Sequence, residues 1–171
     1  MSTSTPTLSA PGIVLRPLSL SDTEALHIAL SDPDVQLYRR AAVHTAIGET
    51  RDYINDTLQR SYCAWAITAD GGEAFGRLAL RNPELNIGEF GIVLRRTAHR
   101  QGYALRALNL AAAYAFEIAD FTTLRADIDA ENAASIALFR KAGYAHQALE
   151  RAYRTTKLGV RDSVIMVRRR N

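Results

Sequence analysis

The spacing of apolar residues changes in the middle of the chain, between residues 87 and 119. Phe90, Ile92 and Leu94 recur at every second position, which is the period of a β-strand. Residues 103–119 form a longer run that is rich in alanine and leucine, and this length and composition predict an α-helix. The pattern therefore predicts that a strand leads into a helix through the basic loop at residues 95–101.

The same criteria predict strands and helices over most of the chain. The predicted strands are Ile13–Leu18, Tyr62–Thr68, Glu73–Leu80, Ile87–Leu94, Thr122–Asp129, Tyr144–Glu150 and Asp162–Val167. The predicted helical segments are Asp22–Ala29, Asp34–Arg40, Ile47–Arg60, Gly102–Ala119 and Asn132–Ala142. An Asp-Gly turn at residues 70–71 predicts a hairpin, and the long helix predicts a right-handed crossover to a parallel strand. This order predicts an α/β fold of mixed α+β type, with a mostly antiparallel central sheet, one parallel pair and helices on both faces.

The loop before the long helix has the features of an anion site. Gly102 has no side chain, so a ligand can approach the first backbone N–H groups, which lack partners within the helix and lie at the positive end of its dipole. Arg95, Arg96, Arg100 and His99 would add positive charge. These features predict a pyrophosphate-binding turn, and the alternative is a solvated basic loop that binds no ligand.

A second motif lies at residues 132–144, with the form Asn-x-x-Ser, an apolar pair and Lys-x-Gly-aromatic. Its matching positions are Asn132, Ser135, Leu138, Phe139, Lys141, Gly143 and Tyr144. Gly102 and Ala104 match the end of the loop pattern Arg/Gln-x-x-Gly-x-Gly/Ala. Together the two motifs resemble the GNAT superfamily of acyl-CoA-dependent N-acetyltransferases, and most closely its RimJ/RimL-like branch, which acetylates ribosomal-protein N-termini. The resemblance extends from Ile13 to about Val167.

The resemblance implies a GNAT-like fold, in which the parallel strands splay apart, and acetyl-CoA as the co-substrate. In the family, pantetheine bonds the exposed backbone of the first splayed strand, and the pyrophosphate lies at the helix start. His99 occupies the first place of the loop pattern, so either His99 or Arg100 would take that role. The implied cofactor-binding residues are Ile92, Val93, Leu94, His99, Arg100, Gln101, Gly102, Tyr103, Ala104, Leu105, Asn132, Phe139 and Lys141.

The resemblance also implies three candidate catalytic residues. Glu89 would take the proton of the acceptor amine, directly or through a water, and the alternative is a structural carboxylate that balances Arg77 or an arginine of the loop. Many family members have a tyrosine at the position of Phe139 to protonate the leaving thiolate, which phenylalanine cannot do. Ser135 is therefore the candidate donor, with Asn132 orienting it or holding pantetheine. The alternative for Ser135 is a hydroxyl that bonds its own helix start.

In the family, the region of residues 31–60 lines the acceptor side of the cleft. Tyr38, Arg39 and Arg40 are the candidate acceptor contacts, and the alternative is a buried tyrosine beside two solvated arginines. A predicted loop at residues 151–161 is the second region that determines which acceptor binds. The implied reaction is acetyl transfer by direct attack in a ternary complex, on a protein N-terminal α-amine or on a small amine of polyamine or antibiotic type. A non-catalytic acyl-CoA sensor is the alternative function.

Composition limits the other classes of protein. A chain of 171 residues with 47% hydrophobic content fits one domain at residues 12–171, preceded by a flexible tail at residues 1–11. Cys63 is the single cysteine, and neither it nor the four histidines have metal-ligand spacing, so we expect no internal disulfide and no metal. The net charge of +3 allows a nucleic-acid-binding module, but the basic residues are dispersed, and we expect no nucleic acid partner. We expect a cytoplasmic monomer or homodimer without membrane contact, since neither a signal peptide nor a membrane-spanning run is present.

Overall fold

The computed structural model describes residues 4–171 and contains one eight-stranded sheet with helices on both of its faces. The strands are β1 Leu8–Ala10, β2 Ile13–Pro17, β3 Cys63–Thr68, β4 Gly76–Glu84, β5 Ile87–Leu94, β6 Thr123–Asp129, β7 Ala145–Thr156 and β8 Gly159–Arg169. The helices are α1 Thr23–Leu30, α2 Ile47–Arg60, α3 Tyr103–Glu117 and α4 Ala133–Lys141. Within residues 4–171, none of these helices has the length and apolar character that are needed to cross a membrane.

The strands lie in the order β1-β2-β3-β4-β5-β6-β8-β7, and every neighbouring pair except β5 and β6 is antiparallel. The α3 crossover returns the chain to a parallel neighbour, as the rule for strand–helix–strand units requires. The fold class predicted from the sequence is confirmed in both its mixed sheet and its single parallel pair.

Two hydrophobic clusters cover the two faces of the sheet. The larger one lies under α3, and its largest buried members include Trp65, Leu78, Leu80, Leu108 and Leu124. Ala107, Ala111 and Ala115 of α3 are fully buried one turn apart, so the helix backbone packs close to the sheet. The smaller cluster joins α1 and α2 to the other face through Leu26, Leu30, Ile54 and Val93.

Residues 8–10 form an edge strand, where the sequence predicted part of a flexible tail. Leu8, Ser9 and Ala10 pair with β2, and the indole Nε1 of Trp65 donates a hydrogen bond of 2.7 Å to the carbonyl oxygen of Pro6. The strand partner β2 follows directly in the sequence, whereas Trp65 lies 59 residues away from Pro6. The part of the predicted tail at residues 1–3 lies outside the described residues.

The prediction of a loop at residues 151–161 is also wrong, because β7 and β8 continue through these residues to a tight turn at Lys157 and Leu158. The register shifts between Glu150 and Arg154, and Arg154 is buried although it is charged. Hydrophobic periodicity cannot reveal a strand whose inward position is an arginine. The hairpin therefore extends beside the C-terminal half of β6.

The predicted helical segment Asp34–Arg40 consists of turns instead. The Asp32 carboxylate accepts a hydrogen bond of 3.0 Å from the backbone N–H of Asp34, and the buried Gln36 side chain donates to the carbonyl of Ala29. These side chain–backbone bonds compete with helix formation. The segment at residues 31–46 thus runs from α1 to α2 as an irregular connection.

Candidate active site

The parallel strands β5 and β6 pair only at their beginnings. Their register joins Ile87 to Thr123, Gly88 to Leu124 and Glu89 to Arg125, and no pairing continues beyond that point. The backbone of β5 at residues 92–94 consequently has no strand partner on the β6 side, while its other edge stays bonded to β4. This opening leaves room along the β6 side of β5 where an extended ligand can lie as an added strand.

The start of α3 lies at the end of β5 and is open. Gly102 adopts φ +79°, and a Cβ placed there would meet no atom within 4 Å. Within residues 4–171, none of the backbone N–H groups from Arg100 to Leu105 donates a hydrogen bond. Such a row of free donors at the positive end of a helix dipole is suited to bind a phosphate.

The arginines of the loop do not all serve this anion site. Arg95 pairs with Glu73 at 2.7 Å, and Arg96 pairs with Asp32 at 2.5 Å and with Asp34 at 2.9 Å. Carboxylates from other loops thus offset the charge of both arginines, and their contribution to an anion site stays a prediction. Arg100 is exposed and forms no ion pair within the described residues.

His99 and Gln101 hold the shape of the loop. The carbonyl oxygen of Leu94 accepts a hydrogen bond of 2.9 Å from His99 Nε2, so Nε2 carries the ring proton. The Gln101 amide donates to the carbonyl of Thr97 at 2.6 Å. These bonds fasten the loop to the end of β5, and any direct cofactor contact of either side chain stays a prediction.

Glu89 is the last residue of β5 that pairs with β6, so its carboxylate lies where the two strands begin to diverge. Its side chain is 27% exposed and lies 3.4 Å from Nε of Arg125. Burial raises the pKa of Glu89, the positive charge of Arg125 opposes this rise, and the nearby Asp127 carboxylate reinforces it. Of the alternatives for Glu89, a pair with Arg77 is not formed, because Arg77 Nη1 donates to the carbonyl of Gly91 at 3.1 Å. The ionic partner comes instead from the neighbouring parallel strand.

Arg125 and Asp127 belong to a polar network that the sequence analysis missed. Asp127 accepts from Arg40 at 3.1 Å and from the buried Arg154, while Arg125 Nη2 donates to the Tyr153 hydroxyl at 3.3 Å. The network connects β6, the hairpin β7–β8 and the segment 31–46 beside Glu89. The alternation of charged and apolar residues at 124–129 was the available signal, since it places Arg125 and Asp127 on one face.

The second motif forms the start of α4, as its sequence predicts. Asn132 is the N-cap, and its Oδ1 accepts a hydrogen bond of 3.2 Å from the backbone N–H of Ser135. The Ser135 hydroxyl forms no hydrogen bond within residues 4–171, so the alternative that it bonds its own helix backbone is not observed. The hydroxyl is therefore free to bond a ligand.

Phe139 and Lys141 of α4 have different surroundings. Phe139 is 3% exposed, and its ring packs edge-on against Tyr144 with centroids 5.0 Å apart. Lys141 lines a cavity of about 600 Å³ together with Asn109 and Phe116, which lie in the middle and at the C-terminal end of α3. Phe139 therefore packs in the core, and the cofactor contacts that the motif implied for both residues stay predictions.

In the region that the sequence predicts to line the acceptor, Arg39 approaches the ring of Tyr53, and Arg77 of β4 approaches the same ring. Arg39 Nη2 donates to the Tyr53 hydroxyl at 2.8 Å, and its guanidinium carbon lies 5.6 Å from the ring centroid. The guanidinium carbon of Arg77 lies 5.2 Å from the same centroid. Arg39 is thus held against α2 rather than solvated, whereas Arg40 is exposed and pairs with Asp127.

Comparisons with known proteins agree with this geometry. The chain matches the family model described as Acetyltransferase (GNAT) domain over residues 13–145. It is 28% identical over 141 residues to spermidine N(1)-acetyltransferase of Escherichia coli strain K12, covering 80% of this chain and 74% of that protein. A GNAT-family acetyltransferase from Bacillus anthracis superposes with a TM-score of 0.88 at 20% identity, over 96% of this chain and 98% of that chain. RimJ of Mycobacterium smegmatis, solved with CoA-disulfide, superposes with a TM-score of 0.84 at 19% identity, over 98% of this chain and 88% of that chain.

The family match covers most of the chain, including the splayed strands, the open start of α3 and the capped start of α4. The two structural likenesses reproduce the fold along almost the whole length of this chain. The superfamily predicted from the two motifs is therefore confirmed, and the protein is an acetyltransferase that belongs to the GNAT family.

Proposed function

We propose that the protein transfers the acetyl group of acetyl-CoA to a primary amine by direct attack in a ternary complex. The observation that carries the proposal is the position of Glu89, a partly buried carboxylate at the point where β5 and β6 separate, on the strand whose C-terminal end leads to the open start of α3. The candidate base, Glu89, thus lies on β5, and the candidate phosphate site lies just beyond the end of the same strand.

The described residues fit acetyl-CoA in two places. The free N–H groups at residues 100–105 suit the pyrophosphate, and the exposed side of Arg100 supplies positive charge. The unpaired backbone of β5 at residues 92–94 suits the amides of pantetheine, which add to a strand edge as a peptide does. This placement directs the acetyl end of the co-substrate along β5 toward the point of divergence.

Glu89 then acts on the acceptor. An amine must be neutral to attack a thioester, and Glu89 takes the proton directly or through a water. Burial raises its pKa, which makes the carboxylate a stronger base than an exposed glutamate. Because only the ionised form accepts a proton, activity rises as the pH increases through the pKa of Glu89.

Ser135 completes the reaction on the thiol side. Its hydroxyl is uncommitted and is held at the start of α4 by the Asn132 cap. A hydroxyl there hydrogen-bonds the departing thiolate, and this bond strengthens as negative charge develops on the sulfur. Phe139 contributes packing only, since phenylalanine has no proton to give.

Two acceptor classes are candidates: a polyamine, as in the name of a relative, and a protein N-terminus, as the resemblance to the RimJ/RimL-like branch implies. A curated relative is a spermidine acetyltransferase, and a structural neighbour is RimJ. The side chains around Glu89 favour the RimJ/RimL-like assignment, because the acceptor side of this chain is rich in arginine and so repels a polycation.

The direct test combines purified protein, acetyl-CoA and a panel of amines and N-terminal peptides. We expect CoA thiol release that depends on the acceptor, with the product N-acetylated by mass spectrometry. Acetyl-CoA binding without turnover on any acceptor would contradict the proposal and would favour a sensor.

A further inference from the structure

Arg39 and Arg77 are two neighbouring cations that lack a counterion. Arg77 is 4% exposed, and within residues 4–171 neither arginine forms an ion pair. Burial lowers the pKa of Arg39 to about 10, and burial together with the charge of Arg39 lowers the pKa of Arg77 well below its ordinary value. Unpaired buried charges of like sign destabilise a fold, so their placement calls for a reason beyond stability.

The polar atoms of the two side chains are only partly used. The Nη1 atom of Arg77 donates to the carbonyl of Gly91, and Arg39 Nη2 donates to the Tyr53 hydroxyl. The Nε atoms of both arginines are buried and have no hydrogen-bond partner. The Nε–Nη edge of a guanidinium is the edge that binds a carboxylate or phosphate with two parallel hydrogen bonds.

These arginines lie on the acceptor side of the cleft. Arg77 Nη1 is 3.5 Å from the position that a Cβ of Gly91 would occupy, and Gly91 shares the face of Glu89 on β5. Glu89 and Gly91 are separated by about 7 Å, because a strand rises roughly 3.4 Å per residue. A ligand of dipeptide size is long enough to cover this separation, with one end near Glu89 and the other near Arg77.

The nearby carboxylates are already engaged. Glu89 lies against Arg125, and Asp127 accepts from both Arg40 and Arg154. Within residues 4–171, no carboxylate lies within ion-pair distance, 4.0 Å, of Arg39 or Arg77. An anionic group of a ligand can supply the missing charge.

We propose that Arg39 and Arg77 bind a carboxylate or phosphate group of the acceptor, several bonds away from the amine that faces Glu89. This inference rests on the proposed function and narrows its acceptor to an anionic amine, such as a short peptide with a free carboxylate. Spermidine, which has only positive charges, lacks the group that these arginines bind and is a poor acceptor.

The test compares acceptors that differ in one anionic group. The dipeptide Ser-Ala is compared with its C-terminal amide, phosphoethanolamine with ethanolamine, and both pairs with spermidine. We expect kcat/KM for the preferred anionic member to exceed that of its neutral partner by roughly 10- to 100-fold, the effect of a charge-assisted bidentate contact. Comparison of the effect in the Ser-Ala pair with the effect in the phosphoethanolamine pair shows whether the site prefers a carboxylate or a phosphate.

Arg39→Gln and Arg77→Gln should each remove this preference, mainly through KM for the anionic acceptor. Arg51→Gln is the matched control, since Arg51 is exposed on α2 and forms no ion pair in residues 4–171, and it should keep the preference. Circular dichroism establishes that each variant is folded. Equal kcat/KM for anionic and neutral partners, or preferred use of spermidine, would overturn the inference while acetyl transfer still stands.

Calorimetry separates the inference from the proposed function. If no amine is acetylated, Ser-Ala and its amide are titrated into the protein saturated with CoA. Tighter binding of the free acid, lost in Arg77→Gln, supports the anion site even though the proposed reaction fails. Equal binding of acid and amide overturns the anion site.

Discussion

The two sides of the cleft use different parts of the chain. On the proposed cofactor side, the groups without partners within residues 4–171 are backbone N–H donors at residues 100–105 and the β6-side edge of β5, while Arg95 and Arg96 pair with carboxylates of other loops. On the acceptor side, the available groups are side chains, namely Glu89, Arg39 and Arg77. A backbone site depends on conformation and requires a glycine, whereas a side-chain site depends on charge. Substitutions on the two sides should therefore affect different kinetic constants.

The largest effect is expected on the acceptor side, for Glu89→Gln. This change keeps the size of the side chain and removes the base, so kcat should fall by about 10²- to 10⁴-fold, the usual range for a general base. The affinity for acetyl-CoA, measured by calorimetry, should stay the same because Glu89 is not at the phosphate site. Wild-type kcat across the pH range would show that another group takes the proton.

The next effect belongs to the cofactor side, for Gly102→Val. A β-branched residue at φ +79° is strained and covers the first N–H groups of α3, so the Kd for acetyl-CoA should rise at least about 10-fold. Gly159→Val is the matched control, because Gly159 has φ +97° with an equally open surrounding but lies at the β7–β8 turn. Similar losses of affinity in both variants would mean that strain, rather than the phosphate site, is responsible.

Ser135→Ala should have a smaller effect, because Ser135 acts on the leaving thiolate, where the cofactor and acceptor sides meet. The loss of one hydrogen bond to the thiolate should lower kcat by roughly 3- to 10-fold, with little change in the apparent constant for acetyl-CoA. Asn132→Ala serves as a comparison, since it removes the helix cap but keeps the hydroxyl, and should mainly lower Tm. An unaltered kcat in Ser135→Ala would assign the proton to solvent.

The smallest effect is a displacement of the pH profile in Arg125→Gln. The groups that bear on the pKa of Glu89 are Arg125, Asp127, Arg81 and Arg40, and Arg125 is the strongest of those that lower it. Without Arg125, the pKa of Glu89 rises further, so the increase of kcat/KM with pH should move to higher pH. A profile that moves to lower pH, or does not move, would indicate that Glu89 does not control it.

The sequence predicted the cofactor side better than the acceptor side for a physical reason. The strand β5, the glycine at the start of α3 and the cap at Asn132 are local features, and each leaves a recognisable pattern over a few residues. The partners of Glu89 and Arg96 are set by strand register and loop packing, since Arg96 meets Asp32 across 64 residues of chain. No local pattern indicates which arginine a carboxylate will meet.

The hairpin β7–β8 illustrates the same limit. Its inward residue Arg154 is satisfied by Ser163 at 2.8 Å and by Asp127, so a charged side chain takes a position that a strand usually gives to an apolar one. Periodicity therefore predicted a loop at residues 151–161. The fold class did not depend on this segment, because the parallel pair and the crossover helix determine the topology.

Trp65 has a practical consequence for studying the protein in solution. It is the single tryptophan of the chain, is fully buried, and donates its indole N–H to the carbonyl of Pro6 beside the edge strand β1. Its fluorescence therefore reports on the attachment of the N-terminal segment. Release of that segment would expose the indole to water and move its emission to longer wavelength, so one optical signal can follow local detachment separately from global unfolding.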